Sequence, residues 1–190
     1  MAAATFETFL DTAGAENAPG ASISIDALGP PMLRFKRADN STIDNADPIP
    51  IPAGADNYSR WKSIYLKCTG APSLQVDNLR VYSDGGIWAA SILVDVGDET
   101  PVHNSGATTG YDVADVNATM VGAHTDITGI TSWYLAVVGA PKAVSISEAG
   151  AIINAIDETS NYVVLQMHVT NAAAPGDLAN STGTWKYDEI

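Results

Sequence analysis

The chain has 190 residues, 46% hydrophobic and only 16% charged, which excludes a disordered polyelectrolyte and leaves enough length for one domain with a real core. Its 22 acids against nine bases give a formal net charge of −13. That field sets it against nucleic acid and anionic membrane surfaces, both of which are bound through Lys and Arg.

The predicted elements run as follows. Residues 1–20 read as a short N-terminal arm in which "TFETFLDT" spells two helical turns. This stretch has no basic leader and carries Glu7 and Asp11 early, so no secretory signal is expected. No apolar run approaches the ~20 residues of a membrane helix, and synthesis and retention in a cytoplasm are expected. "ASISID" (21–26) begins the strands, with Ile23 and Ile25 on one face. "RFKR" (34–37) is a local basic cluster. "DPIPIP" (47–52) has proline at every second position, so it is extended, cannot donate a continuous ladder, and suits an edge or an arm lying on a neighbour. Arg34, Lys36, Arg37, Pro48, Pro50 and Pro52 are therefore the candidate partner contacts.

"SIYLKC" puts Ile64, Leu66 and Cys68 on one face and Tyr65 on the other, in phase with Trp61. Cys68, the only cysteine, excludes an intramolecular disulfide and reads as a buried small hydrophobe. "LRVYSD" (79–84) and "WAASILVDV" (88–96) are strands, followed by a long polar excursion, 98–129. "TSWYLAVVG" (131–139) and "KAVSIS" (142–147) continue the strand pattern. "SEAGAIINAID" offers Ser147 as a helix N-cap with Gly150 against it, or a buried strand on Ile152 and Ile153. In 162–169, Val163, Leu165, Met167 and Val169 share the expected core face. Tyr162, Val164, Gln166 and a half-exposed structural His168 share the other, and Trp185 and Tyr187 are in phase in the closing "GTWKYDEI". The expectation is one all-β domain over 1–190, an antiparallel β-sandwich of jelly-roll or Ig-like type.

Chemistry is sparse. No G-x-S-x-G, P-loop or G-x-G-x-x-G is present, and His103, His124 and His168 lie in no nucleophile motif. His103 and His124 with Asp112 or Asp126 lack metal-ligand spacing. Asp112, Asp115 and Asn117, or Asp95, Asp98 and Glu99, offer oxygens for calcium but follow no known loop pattern, and solvated acids are the simpler reading. No catalytic residue, cofactor or metal is expected. Trp61 and Tyr65 are the best candidates for an exposed aromatic platform, which would make the chain a carbohydrate-binding module, free or displayed on a particle.

The charge is split along the chain. Residues 81–190 hold 13 acids and two bases, while seven of the nine bases lie between Arg34 and Arg80. Packing one copy's basic part on another's acidic part is favourable, so homo-oligomers are expected.

Three segments together form a recognisable series: "NYSRWKSIYLKCTGAPSLQVDNLRVYSDGG" (57–86), "SNYVVLQMHVTNAAAPGD" (160–177) and "TWKYDEI" (184–190). The W-x-x-x-x-L-K strand, the L-Q-hydrophobic-x-V strand running into A-x-P-G, and the final aromatic strand ending Y-D-E come in this order. Together they cover about 55 residues and resemble small β-sandwich virion structural proteins of tailed bacteriophages. The resemblance implies a non-enzymatic protein that decorates or cements the capsid or forms part of the neck or tail. Its partners would be the major capsid protein or neck and tail proteins, its location the virion after synthesis in the host cytoplasm.

Overall fold

Alternation of apolar and polar side chains builds two antiparallel sheets that pack face to face. The computed structural model describes residues 3–11, 22–26, 33–38, 42, 46–86, 89–99, 122, 127–176, 178 and 181–190. Among these residues the strands are β1 (Thr5–Asp11), β2 (Ser22–Ser24), β3 (Asn57–Tyr58), β4 (Lys62–Gly70), β5 (Val76–Ser83), β6 (Ile92–Glu99), β7 (Ile127–Ser132), β8 (Lys142–Ala143), β9 (Val163–Val169) and β10 (Gly183–Glu189). The only helical pieces among them are two single 3-10 turns, Trp133–Leu135 and Ala149–Ala151. The seven-stranded sheet runs β2-β1-β4-β9-β6-β7, with β3 also paired to β9. The smaller sheet runs β10-β5-β8.

The space between the sheets is the main core. Leu10, Ile64, Leu66, Cys68, Val94, Val96, Leu165 and Met167 from the large sheet meet Val76, Leu79, Val81, Val144, Ile146 and Ile153 from the small one. At one side β10 lies over β1: the Phe6 and Tyr187 rings are 4.9 Å apart and Trp185 Nε1 donates to Thr8 Oγ1 at 3.2 Å. A second apolar cluster covers the opposite face of the large sheet, where Trp61, Tyr65, Tyr162, Val164 and Ile127 are buried.

Six sequence expectations change. "TFETFLDT" is not helical, and residues 5–11 are not part of an arm. They form β1, seated between β2 and β4 with Phe9 opposite Tyr65 and Leu10 opposite Ile64. A strand with apolar side chains on both faces mimics a helical pattern, and here both faces of the sheet are covered. For the same reason β9 is not one-sided: Tyr162, Val164 and Gln166 are as buried as Val163 and Leu165. "TSWYLAVVG" holds only the end of β7. Trp133 then turns into the core in a 3-10 turn, and Val137 and Ala140 close a tight turn. "KAVSIS" keeps two strand residues and one bridge, from Ile146 to Ser160. "SEAGAIINAID" forms no strand and no helix beyond the 3-10 turn Ala149–Ala151, because Gly150 and Ala151 take positive φ and only Ile153 bridges, to Val76. Both ends of the 98–129 excursion belong to the sheet, with Glu99 opposite Ile127 in the β6–β7 pair. Residues 100–121 and 123–126, with His103, His124, Asp112, Asp115, Asn117 and Asp126, lie outside the described residues, as do residues 12–20 of the expected arm and Trp88.

Candidate functional site

The two candidate contact segments meet on one surface. Arg37 N–H donates to the Asp47 carbonyl at 2.8 Å, which places "RFKR" beside the start of "DPIPIP". The Asn57 amide holds the Pro50 carbonyl at 2.7 Å, and Ile49 packs against the core. The proline segment therefore lies on its own sandwich with Pro48 and Pro50 exposed and Pro52 half-buried. Arg37 is exposed and Arg34 half-buried. Lys36 does not fit an outward contact: it is 4% exposed, and its Nζ donates to the Thr42 carbonyl at 3.4 Å.

Other bases are spent inside the molecule as well. Lys62 is fully buried with Nζ 2.9 Å from the Ala38 carbonyl. Lys67 pairs with Asp157, Arg80 with Asp188 and Lys142 with Asp98, at 2.7, 2.9 and 2.7 Å. Each of these ion pairs also uses up one acid, and Asp11 and Glu99 are buried as Lys36 and Lys62 are, so the excess of acids over bases stands, and a cationic partner surface is the one its field would attract.

Trp61 and Tyr65 do not form an exposed platform. They are 1% and 6% exposed, packed with Phe9, Tyr162 and Val164 on the covered outer face of the large sheet. The alternation places them on the predicted face. That face is simply not open to a glycan.

Two polar constellations come from residues far apart in sequence. In the first, His168 on β9 stacks on Tyr58 of β3, rings parallel to within 3° and 5.5 Å apart. Its Nδ1 lies 3.3 Å from Asp56 Oδ2 and its Nε2 3.6 Å from Asp95 Oδ2. Burial holds the Tyr58 phenol above its ordinary pKa, with the Asp56 and Asp95 charges adding to it. Burial also raises the Asp95 carboxyl, opposed by His168. The two carboxylates occupy different ring nitrogens, so one ion could not take both with a nitrogen unless the ring turned out. Nor do Asp95, Asp98 and Glu99 converge: Asp95 faces His168, Asp98 faces Lys142, and Glu99 is fully buried. Among the described residues no group of three or more His, Cys, Asp or Glu side chains is placed to hold a metal. What the His168 arrangement can do is tie β3, β6 and β9 together, with the ring stacked on Tyr58 and set between Asp56 and Asp95.

The second constellation lies under the outer face. Tyr162 OH donates to Asp11 across β4, and Tyr65 OH shares a 2.5 Å hydrogen bond with Ser22. Burial, then the Asp11 charge, pushes the Tyr65 phenol up to about 12 and the Tyr162 phenol far beyond the tyrosine range. No local motif announces either constellation. The one available signal is that the 162–168 face of β9 carries Tyr, Val, Gln and His and no Lys, Arg, Asp or Glu, as a covered face would.

In comparison with known proteins, no family model, no curated protein and no solved structure matches the chain. Among the described residues, no helix is long and apolar enough to cross a membrane.

Proposed function

We propose that the chain is a non-enzymatic structural protein of a tailed-bacteriophage virion, decorating or cementing the capsid or forming part of the neck or tail. The observation behind this reading is a set of large apolar side chains held outward on rigid backbone. Leu135 and Val138 are 67% and 65% exposed on the turn after β7. That turn is pinned to β5 because Ser83 Oγ donates towards the Trp133 and Ala136 carbonyls, each at 3.0 Å, and Ser83 N–H bonds the Ala136 carbonyl at 2.7 Å. Ile190, also exposed, is hydrogen-bonded to Gln75 at the opposite end of the small sheet, next to exposed Leu74. Exposed apolar groups on an ordered frame suit burial against a neighbouring subunit or shell.

The three segments behind the phage resemblance also meet in space. They supply β3, β4 and β9 of the large sheet and the β5–β10 pair of the small one. Mass spectrometry of purified particles tests the proposal: the chain is expected at stoichiometric levels in virions. Abundance in lysate with absence from virions would overturn it.

A further inference from the structure

We infer that the free edge of β10 pairs with β10 of a second copy about a two-fold axis, joining two small sheets into one continuous six-stranded sheet. This pairing follows from backbone geometry and does not depend on the virion reading.

The backbone shows which groups are available. Thr182 C=O accepts from Asp84 N–H, and Ile190 exchanges two hydrogen bonds with Gln75. Even-numbered residues from 182 to 190 therefore turn their backbone polar groups towards β5, and Gly183, Trp185, Tyr187 and Glu189 turn theirs away. Among the described residues nothing bonds to those outward backbone groups.

Natural edges are blunted by proline, by bulges, by very short strands or by charged side chains, and the charges of β10 at Lys186 and Asp188 are of opposite sign, so they repel only a strand that does not match them. β10 has seven residues and no proline. The irregularity in its pairing falls where β10 advances from Lys186 to Asp188 while β5 runs from Arg80 to Asp77. The extra residue therefore sits in β5, near Asn78 with its φ of 50°, and β10 itself is regular.

Charge selects the occupant and the register. With Tyr187 of the two copies opposite each other, Trp185 faces Glu189 of the second copy, and these pairs exchange backbone hydrogen bonds. Between them Lys186 faces Asp188 of the second copy, twice over, on the outer face of the sheet. Lys186 is exposed and, among the described residues, takes part in none of the ion pairs within the chain. Asp188 bonds Arg80 and Asn78 yet keeps about half of its side chain open to a second cation, at 52% exposure. Centring the axis on Lys186 would oppose two lysines. Centring it on Trp185 would leave Lys186 facing Thr184. Only the Tyr187 register matches opposite charges across the strands.

Sedimentation of the purified full chain, from low micromolar to submillimolar concentration, is expected to show a monomer–dimer equilibrium. In the dimer, exchange of the Trp185, Tyr187 and Glu189 amides slows as concentration rises. Lys186→Asp and Asp188→Lys each put like charges opposite twice, and each alone should weaken dimerisation about tenfold or more. Mixing the two variants restores both opposite-charge pairs and should restore the dimer. A wild-type chain that stays monomeric throughout, or variants that each dimerise as the wild type does, would overturn the inference. If Asp188→Lys fails to fold through loss of its Arg80 partner, Lys186→Asp and the wild-type amide exchange still decide. Loss of the dimer would leave a virion location untouched, and absence from virions would leave the dimer untouched.

Discussion

The Tyr162 hydroxyl reaches across the neighbouring strand β4 to donate to Asp11 on β1, with Ser63 of β4 lying between their strands as the register partner of both Asp11 and Val164. This bond ties three strands of the large sheet together beneath its covered face. Tyr162→Phe keeps the ring and its packing but removes the donor from a buried carboxyl group. It should cost ~1–3 kcal/mol, the usual penalty for removing a hydrogen bond from a buried charged group. Tyr82→Phe, on the half-exposed outer face of β5, should cost less than ~0.5 kcal/mol. Equal midpoints in urea for wild type and Tyr162→Phe would show that the bond contributes nothing.

The same phenols set an alkaline limit. Tyr65 is raised to about 12 and Tyr162 further, both chiefly by burial. For a group whose folded pKa lies above its unfolded value, the stabilisation is complete below the unfolded value, about 10 for tyrosine. It is then lost as pH rises towards the folded value, because the unfolded chain releases its proton first. Stability should therefore fall progressively above about pH 10. Spectrophotometric titration should find that at least these two of the seven tyrosines ionise together with unfolding. Smooth ionisation of all seven in a chain that stays folded would contradict the burial.

Strand β9 separates what the sequence makes legible from what it hides. Leu165→Ala should cost ~2–5 kcal/mol through lost burial and the cavity left behind, and Tyr162→Ala a similar ~3–5 kcal/mol. A one-sided strand would show a large difference between them. The period-two runs do locate β5, β6 and β10, where alternation follows one face in the core, and β4 and β9 as well, although both faces of those two are buried. The pattern misleads at β1: Phe6, Thr8 and Leu10 point inward and Phe9 points into the second cluster, and this short doubly apolar segment resembles a helix. It misleads again at Trp133, where an apolar run serves as a plug rather than a strand. The His168 clamp is illegible for another reason. Asp56, Asp95 and His168 come from three strand regions, and only the β3–β9–β6 registry brings them together.

That clamp carries its own pH signature. Burial raises the Asp95 carboxyl above its unfolded value, so the folded state holds that proton more tightly. Its contribution is fully present in acid and declines as pH rises through the folded value. Asp95→Asn removes this decline. The stability of the variant relative to wild type should become more favourable from pH 4 to pH 7, read as the difference in Tm across a pH series. A difference that is flat, or that falls with pH, would show that His168 outweighs the burial.

Docking to a particle can be electrostatic or apolar, and the structure supplies a clean probe of each. Reversing Arg34, Lys36 and Arg37 together would not separate docking from folding, since Lys36 is buried and a carboxylate there would be stranded. Arg37→Glu alone changes an exposed charge and should leave Tm within the small range typical of surface substitutions. If the basic segment steers attachment, this variant should bind stripped particles more slowly, and raising salt should weaken wild-type attachment, because exposed charges are screened beyond ~8–10 Å at physiological ionic strength. Leu135→Asp with Val138→Asp changes two outward apolar side chains on a turn whose backbone bonds come from Ser83. The double variant should fold normally yet lose occupancy by about tenfold or more, because it places charge in a contact that must shed water. Normal occupancy of the double variant with salt-sensitive attachment would assign docking to charge. Loss of occupancy with salt-independent attachment would assign it to the apolar turn. Occupancy unchanged by either variant and by salt would remove both surfaces from assembly.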